Sequence, residues 1–329
     1  MKAAILRGKN DLVIGDVLDP PNIVPEGFVK VAVKAVGICG SDVHYYQHGA
    51  IGDFVLQEPM ILGHEIGGIV ETVGAGVQFN IGEVVALEPG IPCRQCTQCR
   101  SGQYNLCESI RFFATPPVDG AMTSYVIHPA DFTFRTNGLT VEEACLAEPM
   151  SVGIYATRQA SIHLGQEVFV MGAGPVGLMT AMACLAEGAN VRIFDVQEER
   201  VRMARELGMV AEVFNSGRKI RSDVVIDCTG NESAIAWGQH SVKAGGKLIL
   251  VGMGTKDGMK LDGLDLTLRG ISVRGIFRYA NTFPAAIQLI HKYRDKMKLF
   301  LSNKIPFEAV PKYFLDGNFN SHIKTIVSL

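Results

Sequence analysis

The sequence predicts an α/β protein of two domains with different strand grammar: antiparallel strands and loops first, then a doubly wound parallel sheet. Three observations carry this. The chain has 329 residues, which is long for a single domain. Up to about residue 150 it reads as short strands broken by Gly and Pro, the pattern of an antiparallel barrel-like domain. Beyond that point short apolar strands alternate with helical stretches, which implies βαβ units with right-handed crossovers.

The elements follow in order. Residues 28–36 alternate apolar and polar side chains, a half-buried strand. Residues 66–73 are strand-like, with Gly67 and Gly68 permitting a bulge or a close backbone approach. A short strand spans 82–87. In the second part an apolar strand at 167–171 runs into a glycine turn, and a helix from Pro175 to about Glu187 follows. A strand at 191–194 precedes an amphipathic helix over 197–207 that Gly208 ends. Further buried-type strands lie at 223–227 and 247–251. The stretch between Val210 and Asp223 is short, with room for a strand and a turn but hardly a crossover helix. A helix over 285–291 leads to an alternating strand at 323–329, which is expected to return to the first domain. The expected domains are 1–151, 152–283 and the returning segment 284–329.

Composition narrows the function. Apolar residues make up 47% of the chain and charged residues 19%, with a formal net charge of -2, as in a compact globular protein with a large core. There is no Lys/Arg run, so no nucleic-acid partner is expected. The apolar stretch after Lys2 is too short for a signal peptide, and no run is long enough to span a membrane. A cytoplasmic protein is the expectation.

Gly172-Ala173-Gly174-Pro175-Val176-Gly177 follows a strand and opens a helix. Alone, such a fingerprint is weak. In this setting the first glycine makes the turn, the second lets backbone approach a pyrophosphate, and the third lets helix and strand pack closely. The phosphates then face the positive end of the helix. Asp195 ends the next strand, where a carboxylate accepts hydrogen bonds from ribose hydroxyls and repels a 2′-phosphate, so NAD is favoured over NADP. A plain helix N-cap is the competing reading of Asp195. Arg200, one turn on, is placed over the adenine, although by itself it reads as a solvated helix charge.

There are eight cysteines, and Cys93, Cys96, Cys99 and Cys107 crowd into one loop. In a reducing compartment such a cluster binds metal more often than it forms disulfides. Four thiolates at tetrahedral reach make a closed structural zinc site; an iron–sulfur cluster is the rival.

Three further features are each weak alone: Cys39 with Ser41 and His44, Gly63-His64-Glu65, and Glu148-Pro149. Together the stretches GICGSDVHY at 37–45, GHE at 63–65, the four-cysteine loop, ATPPVDG at 114–120, EPMSVG at 148–153, GAGPVG at 172–177 and GIFRY at 275–279 resemble the zinc-dependent medium-chain alcohol dehydrogenase superfamily, specifically its polyol branch, the sorbitol dehydrogenases. The resemblance covers nearly the whole chain. It implies a GroES-like β-barrel catalytic domain followed by a Rossmann domain, NAD as cofactor, and two zinc ions per chain.

In that family the catalytic zinc takes the residues matching Cys39, His64 and Glu65, with a water in fourth place. Glu148 holds that water or substitutes as a ligand. Replacing a thiolate by oxygen leaves the metal a stronger Lewis acid towards an alcohol. The proton leaves through Ser41 and His44, or through Glu148 and the water; the sequence does not choose. Tyr45, Glu148, Arg278 and Tyr279 match substrate contacts, against a bland reading as core aromatics and a surface cation. Val176, Val251, Gly252, Met253, Phe277 and Arg278 match cofactor-lining positions. The implied reaction is oxidation of a secondary hydroxyl of a small polyol to a ketone, by a homodimer or homotetramer. Threonine, glucose, butanediol or a cyclitol is the alternative substrate. A nucleotide-binding relative without turnover is the rival of another class, and it predicts losses at 39, 64, 65 or 148 that the sequence does not have.

Overall fold

The computed structural model describes residues 1–254, 258–319 and 321–329. It divides into two compact units, Met1–Glu148 with Phe283–Leu329, and Pro149–Thr282. The first is built on antiparallel sheets and the second on a parallel one, the α/β organisation read from the sequence.

The first unit is organised by one long strand. β1 (Phe28–Ile38) leads into helix α1 (Gly40–His48); β2 (Glu65–Val73), β3 (Val84–Leu87), β4 (Tyr125–Pro129) and β5 (Thr133–Arg135) follow, and then helix α2 (Val141–Cys145). β1 pairs along one edge with β2, and with β4 along the first half of its other edge. The alternation read over 28–36 is real: Val29, Val31 and Val33 are buried and pack with Leu62, Ile66, Val70, Leu87 and Met122. Each of these aliphatic side chains contributes roughly 1.5–3 kcal/mol on burial. Gly67 and Gly68 are places of close approach. A Cβ at Gly67 would stand 1.8 Å from the Val141 carbonyl of α2, and one at Gly68 2.4 Å from Val31. The β1–β2 register also shifts nearby, between Val33 and Ala35.

Helix α3 (Ala147–Ala160) contains the boundary between the units. The second unit runs β6 (Glu167–Met171), α4 (Pro175–Ala186), β7 (Asn190–Asp195), α5 (Glu198–Glu206), β8 (Val210–Val213), β9 (Ser222–Asp227), α6 (Glu232–Ser241), β10 (Val242–Leu250), α7 (Gly263–Arg269) and β11 (Ser272–Gly275). Among the described residues its six strands are all parallel, in the order β8-β7-β6-β9-β10-β11. This is a doubly wound sheet whose strand order reverses between β6 and β9, the place where such sheets bind ligands.

The connection from β8 to β9 has no helix. Phe214 and Ile220 from it pack instead on the core cluster of Phe169, Phe194 and Trp237, and the Trp237 indole donates to the Arg218 carbonyl at 3.1 Å. An aromatic layer thus covers the sheet where a crossover helix would.

After the second unit the chain returns to the first sheet. β12 (Asn303–Pro306) and β13 (Thr325–Ser328) pair in parallel, and β13 takes the second half of the free edge of β1, with Thr325 opposite Ile38.

Candidate active site

Two antiparallel strands deliver the site. β1 ends at Ile38, so Cys39 stands at the N-terminus of α1, and β2 begins at Glu65, directly after Gly63 and His64. The register pairs Gly37 with Glu65. The ligand atoms of Cys39, His64 and Glu65 consequently lie within 4.8 Å of one another.

Asp42 holds this geometry, and the sequence reading missed it. Its carboxylate is fully buried and accepts from the Cys39 backbone N–H at 2.9 Å and the Gly63 N–H at 3.3 Å. It therefore ties the two ligand-bearing loops together, and it stands 3.7 Å from His64 Nδ1. The available signal was an acidic residue three after Cys39, the position that reaches back to a helix N-cap.

Burial alone would lower the His64 pKa. The charges of Asp42 and Cys39, with a hydrogen bond to Cys39, reverse this and raise it to about 10. Glu65 is fully buried; its Oε1 accepts from the Lys324 ammonium, and among the described residues its Oε2 has no hydrogen-bond partner. Burial works against the Lys324 charge, and Glu65, then Cys39 and Glu148, more than compensate. Gly37 leaves room for Oε2, since a Cβ there would lie 2.0 Å from it.

A thiol, an imidazole and a buried carboxylate oxygen with no hydrogen-bond partner among the described residues are the donor types of an open zinc site, which takes three protein ligands and leaves one position free. The residues fit such an ion. Glu148, in the first turn of α3, is also buried, and its charge acts on His64.

Three of the other residues singled out in this unit follow Cys39 within six positions. Ser41 and His44 are on α1; His44 is exposed, 4.5 Å ring to ring from His48, and its pKa is lowered by burial and then by His48. Tyr45 is buried. Cys93, Cys96, Cys99 and Cys107 form a second cluster whose sulfurs lie within 4.8 Å of one another. Backbone N–H groups of Gln95 and Cys96 lower the Cys93 thiol to about 6, towards the thiolate a metal requires.

In the second unit, Gly172 closes β6 at φ +94, and a Cβ at Gly177 would lie 1.9 Å from the Gly172 carbonyl. Gly174 is the N-cap of α4 and Pro175 its first residue. Asp195, at the end of β7, accepts from Ala173 N at 2.8 Å and Gln197 N at 2.9 Å, with Arg200 Nη1 at 3.9 Å. The acidic residue thus fixes the glycine turn, a task beyond the sequence reading. Val251 and Gly252 both donate to the Asp227 carbonyl, and a Cβ at Gly252 would lie 2.1 Å from Gly230 N. Met253 and Phe277 are exposed; Val176 is the second residue of α4. Arg278, at φ +54, stacks its guanidinium 4.6 Å from the Phe277 ring centre, and Tyr279 is buried.

Comparison with known proteins agrees with both halves. Residues 25–138 match the alcohol dehydrogenase GroES-like domain, and residues 175–292 match the zinc-binding dehydrogenase family. The chain is 38% identical to a sorbitol dehydrogenase of Mus musculus, over 99% of this chain and 97% of that one. It is 36% identical to a probable D-xylulose reductase A of Aspergillus terreus, over 98% and 97%. Its structure is similar to that of L-idonate 5-dehydrogenase from Escherichia coli, with a TM-score of 0.90 at 28% identity, over 100% and 98%.

Proposed function

The chain belongs to the zinc-dependent alcohol dehydrogenase family, and from that premise we propose that it oxidises a secondary hydroxyl of a small polyol to a ketone, with NAD as hydride acceptor. The observation that carries the reading is the buried Glu65 beside a single cysteine, a ligand set with one thiolate and two harder donors. Similarity to a sorbitol dehydrogenase and a probable D-xylulose reductase over nearly the full length supports the same substrate class.

Cys39, His64 and Glu65 hold the catalytic zinc in this reading, and Cys93, Cys96, Cys99 and Cys107 hold a structural one, two per chain. When bound, zinc supplies the Lewis acidity that makes the substrate hydroxyl acidic, and NAD takes the hydride. Asp42 keeps the two ligand loops in register. Glu148 guides the fourth position, and the alcohol proton leaves through it or through Ser41 and His44. Tyr45, Arg278 and Tyr279 contact the remaining hydroxyls. Gly172, Gly174 and Gly177 cradle the pyrophosphate, Asp195 selects NAD against NADP by its charge, Arg200 covers the adenine, and Val176, Val251, Gly252, Met253 and Phe277 line the cofactor.

The protein works in the cytoplasm as a homodimer or homotetramer. All eight cysteines are free thiols, and no helix among the described residues is long and apolar enough to cross a membrane. β11 lies at the open edge of the parallel sheet, and Leu264 and Leu268 of the preceding α7 are exposed, which supports pairing of two copies there.

The test follows absorbance of reduced nicotinamide while zinc-loaded protein receives NAD or NADP with sorbitol, xylitol, galactitol, threitol, inositols, threonine, glucose, butanediol and simple alcohols. Rapid NAD reduction with one polyol configuration, lost in Glu65→Ala, supports the proposal. Turnover confined to another alcohol class, or none, sinks it.

A further inference from the structure

Lys324 reaches the site from the far end of the chain. β13 pairs with β1 so that Thr325 faces Ile38, and Lys324 and Cys39 are the chain neighbours of that last pair. Its side chain is 2% exposed, and its ammonium is paired with Glu65 Oε1. The charges of Cys39 and Glu148 also act on it. An ammonium this deep is tolerated only against compensating charge.

The two oxygens of Glu65 are divided: Oε1 belongs to Lys324, and Oε2, beside Gly37, has no hydrogen-bond partner among the described residues.

The geometry points to Lys324 as a positioning residue of the zinc site: by holding Oε1 it restricts Glu65 to one metal-ligating oxygen and so keeps the fourth position open for substrate. This rests on the reading of Cys39, His64 and Glu65 as a metal site. Without the ammonium, Glu65 is free to bind through both oxygens. The ion is then held more tightly, because a positive charge has been taken from beside it, and the open position is filled.

Cobalt(II) placed in the open site of the full-length protein tests this, since its visible d–d absorption weakens as coordination number rises. In Lys324→Met the band weakens severalfold while cobalt, measured by chelator competition, binds at least about tenfold more tightly. Lys324→Arg, which keeps the charge, returns both readouts to those of the parent. A purely structural Lys324 gives the opposite pattern, looser metal with an unchanged band, and that result overturns the inference. So does Lys324→Arg behaving like Lys324→Met. If Lys324→Met does not fold, Lys324→Gln carries the same expectation at smaller size, because it keeps an N–H for Oε1 without the charge. A parent protein that takes up cobalt only in the four-cysteine loop overturns the metal-site reading itself, an outcome distinct from a failure of Lys324 alone.

Discussion

Gly37→Ala isolates the geometry on which the site depends. Gly37 is the strand partner of Glu65, and a Cβ on it would lie 2.0 Å from Glu65 Oε2 and 3.1 Å from both Cβ and Cδ of the same side chain. An ordinary contact begins near 3.4 Å. The ligand oxygen must therefore retreat by more than about 1 Å, against a tolerance of roughly 0.2 Å in a metal–ligand distance. The zinc of the open site is lost or held far more weakly, so metal per chain falls by one equivalent, and kcat/KM falls at least about 100-fold. The fold survives, because the four-cysteine loop and the rest of β1 are untouched. A second background sharpens the test. In Glu65→Ala the carboxylate is gone and the new methyl meets only the Cβ of residue 65, at 3.1 Å, so Gly37→Ala costs far less there than in the parent and leaves the metal content of Glu65→Ala unchanged. Metal analysis after gel filtration, steady-state rates and thermal melts of the four proteins complete the measurement. Gly37→Ala retaining both metal equivalents and parental turnover would refute the placement of Glu65 as a ligand over Gly37.

Three further expectations follow from other parts of the molecule. Burial lowers the His128 imidazole to about 4, against the partial support of the Glu88 carbonyl 3.1 Å from Nε2. The folded state therefore keeps it neutral while the unfolded chain protonates near 6.5. Stability from this residue is complete above about pH 6.5 and is lost, up to about 3 kcal/mol, as pH falls towards 4. Urea unfolding between pH 7 and 4.5 should show a shallower acid loss in His128→Gln, and an unchanged slope contradicts the burial argument. Asp195→Ala should lower kcat/KM with NAD by about 10–100-fold and shift the NAD-to-NADP ratio towards NADP; a fixed ratio would show that the carboxylate serves only the glycine turn. Cys99→Ser should release one metal equivalent and expose residues 93–107 to limited proteolysis, while the cobalt band of the open site persists.

What was readable in the sequence follows from the range of each interaction. The β1 strand shows itself because alternate side chains meet one core, and the glycine fingerprint because turn, helix and acidic residue are local to one βαβ unit. The three residues of the open site emerged from the order of several motifs, since no periodicity marks them. Helix α1 escaped because it starts at Gly40 and buries Asp42, Tyr45 and Tyr46 without a clear apolar stripe. Lys324 has no local signal at all. It reads as a polar position within an alternating strand, and its partner Glu65 is 259 residues away in the chain. The short link after β8 was legible as lacking a helix, but its replacement by Phe214, Ile220 and Trp237 is a product of packing.

The most direct test of the central claim follows one hydrogen. Sorbitol carrying deuterium on the secondary carbinol carbon is offered to the zinc-loaded protein with NAD, and the products are examined by NMR. The account predicts a ketose and reduced nicotinamide bearing the deuterium at C4, with slower turnover than the unlabelled polyol. If xylitol or another polyol is the preferred substrate, the same label on that compound gives the same result. Reduced nicotinamide without deuterium, or oxidation confined to a terminal carbon, would contradict it.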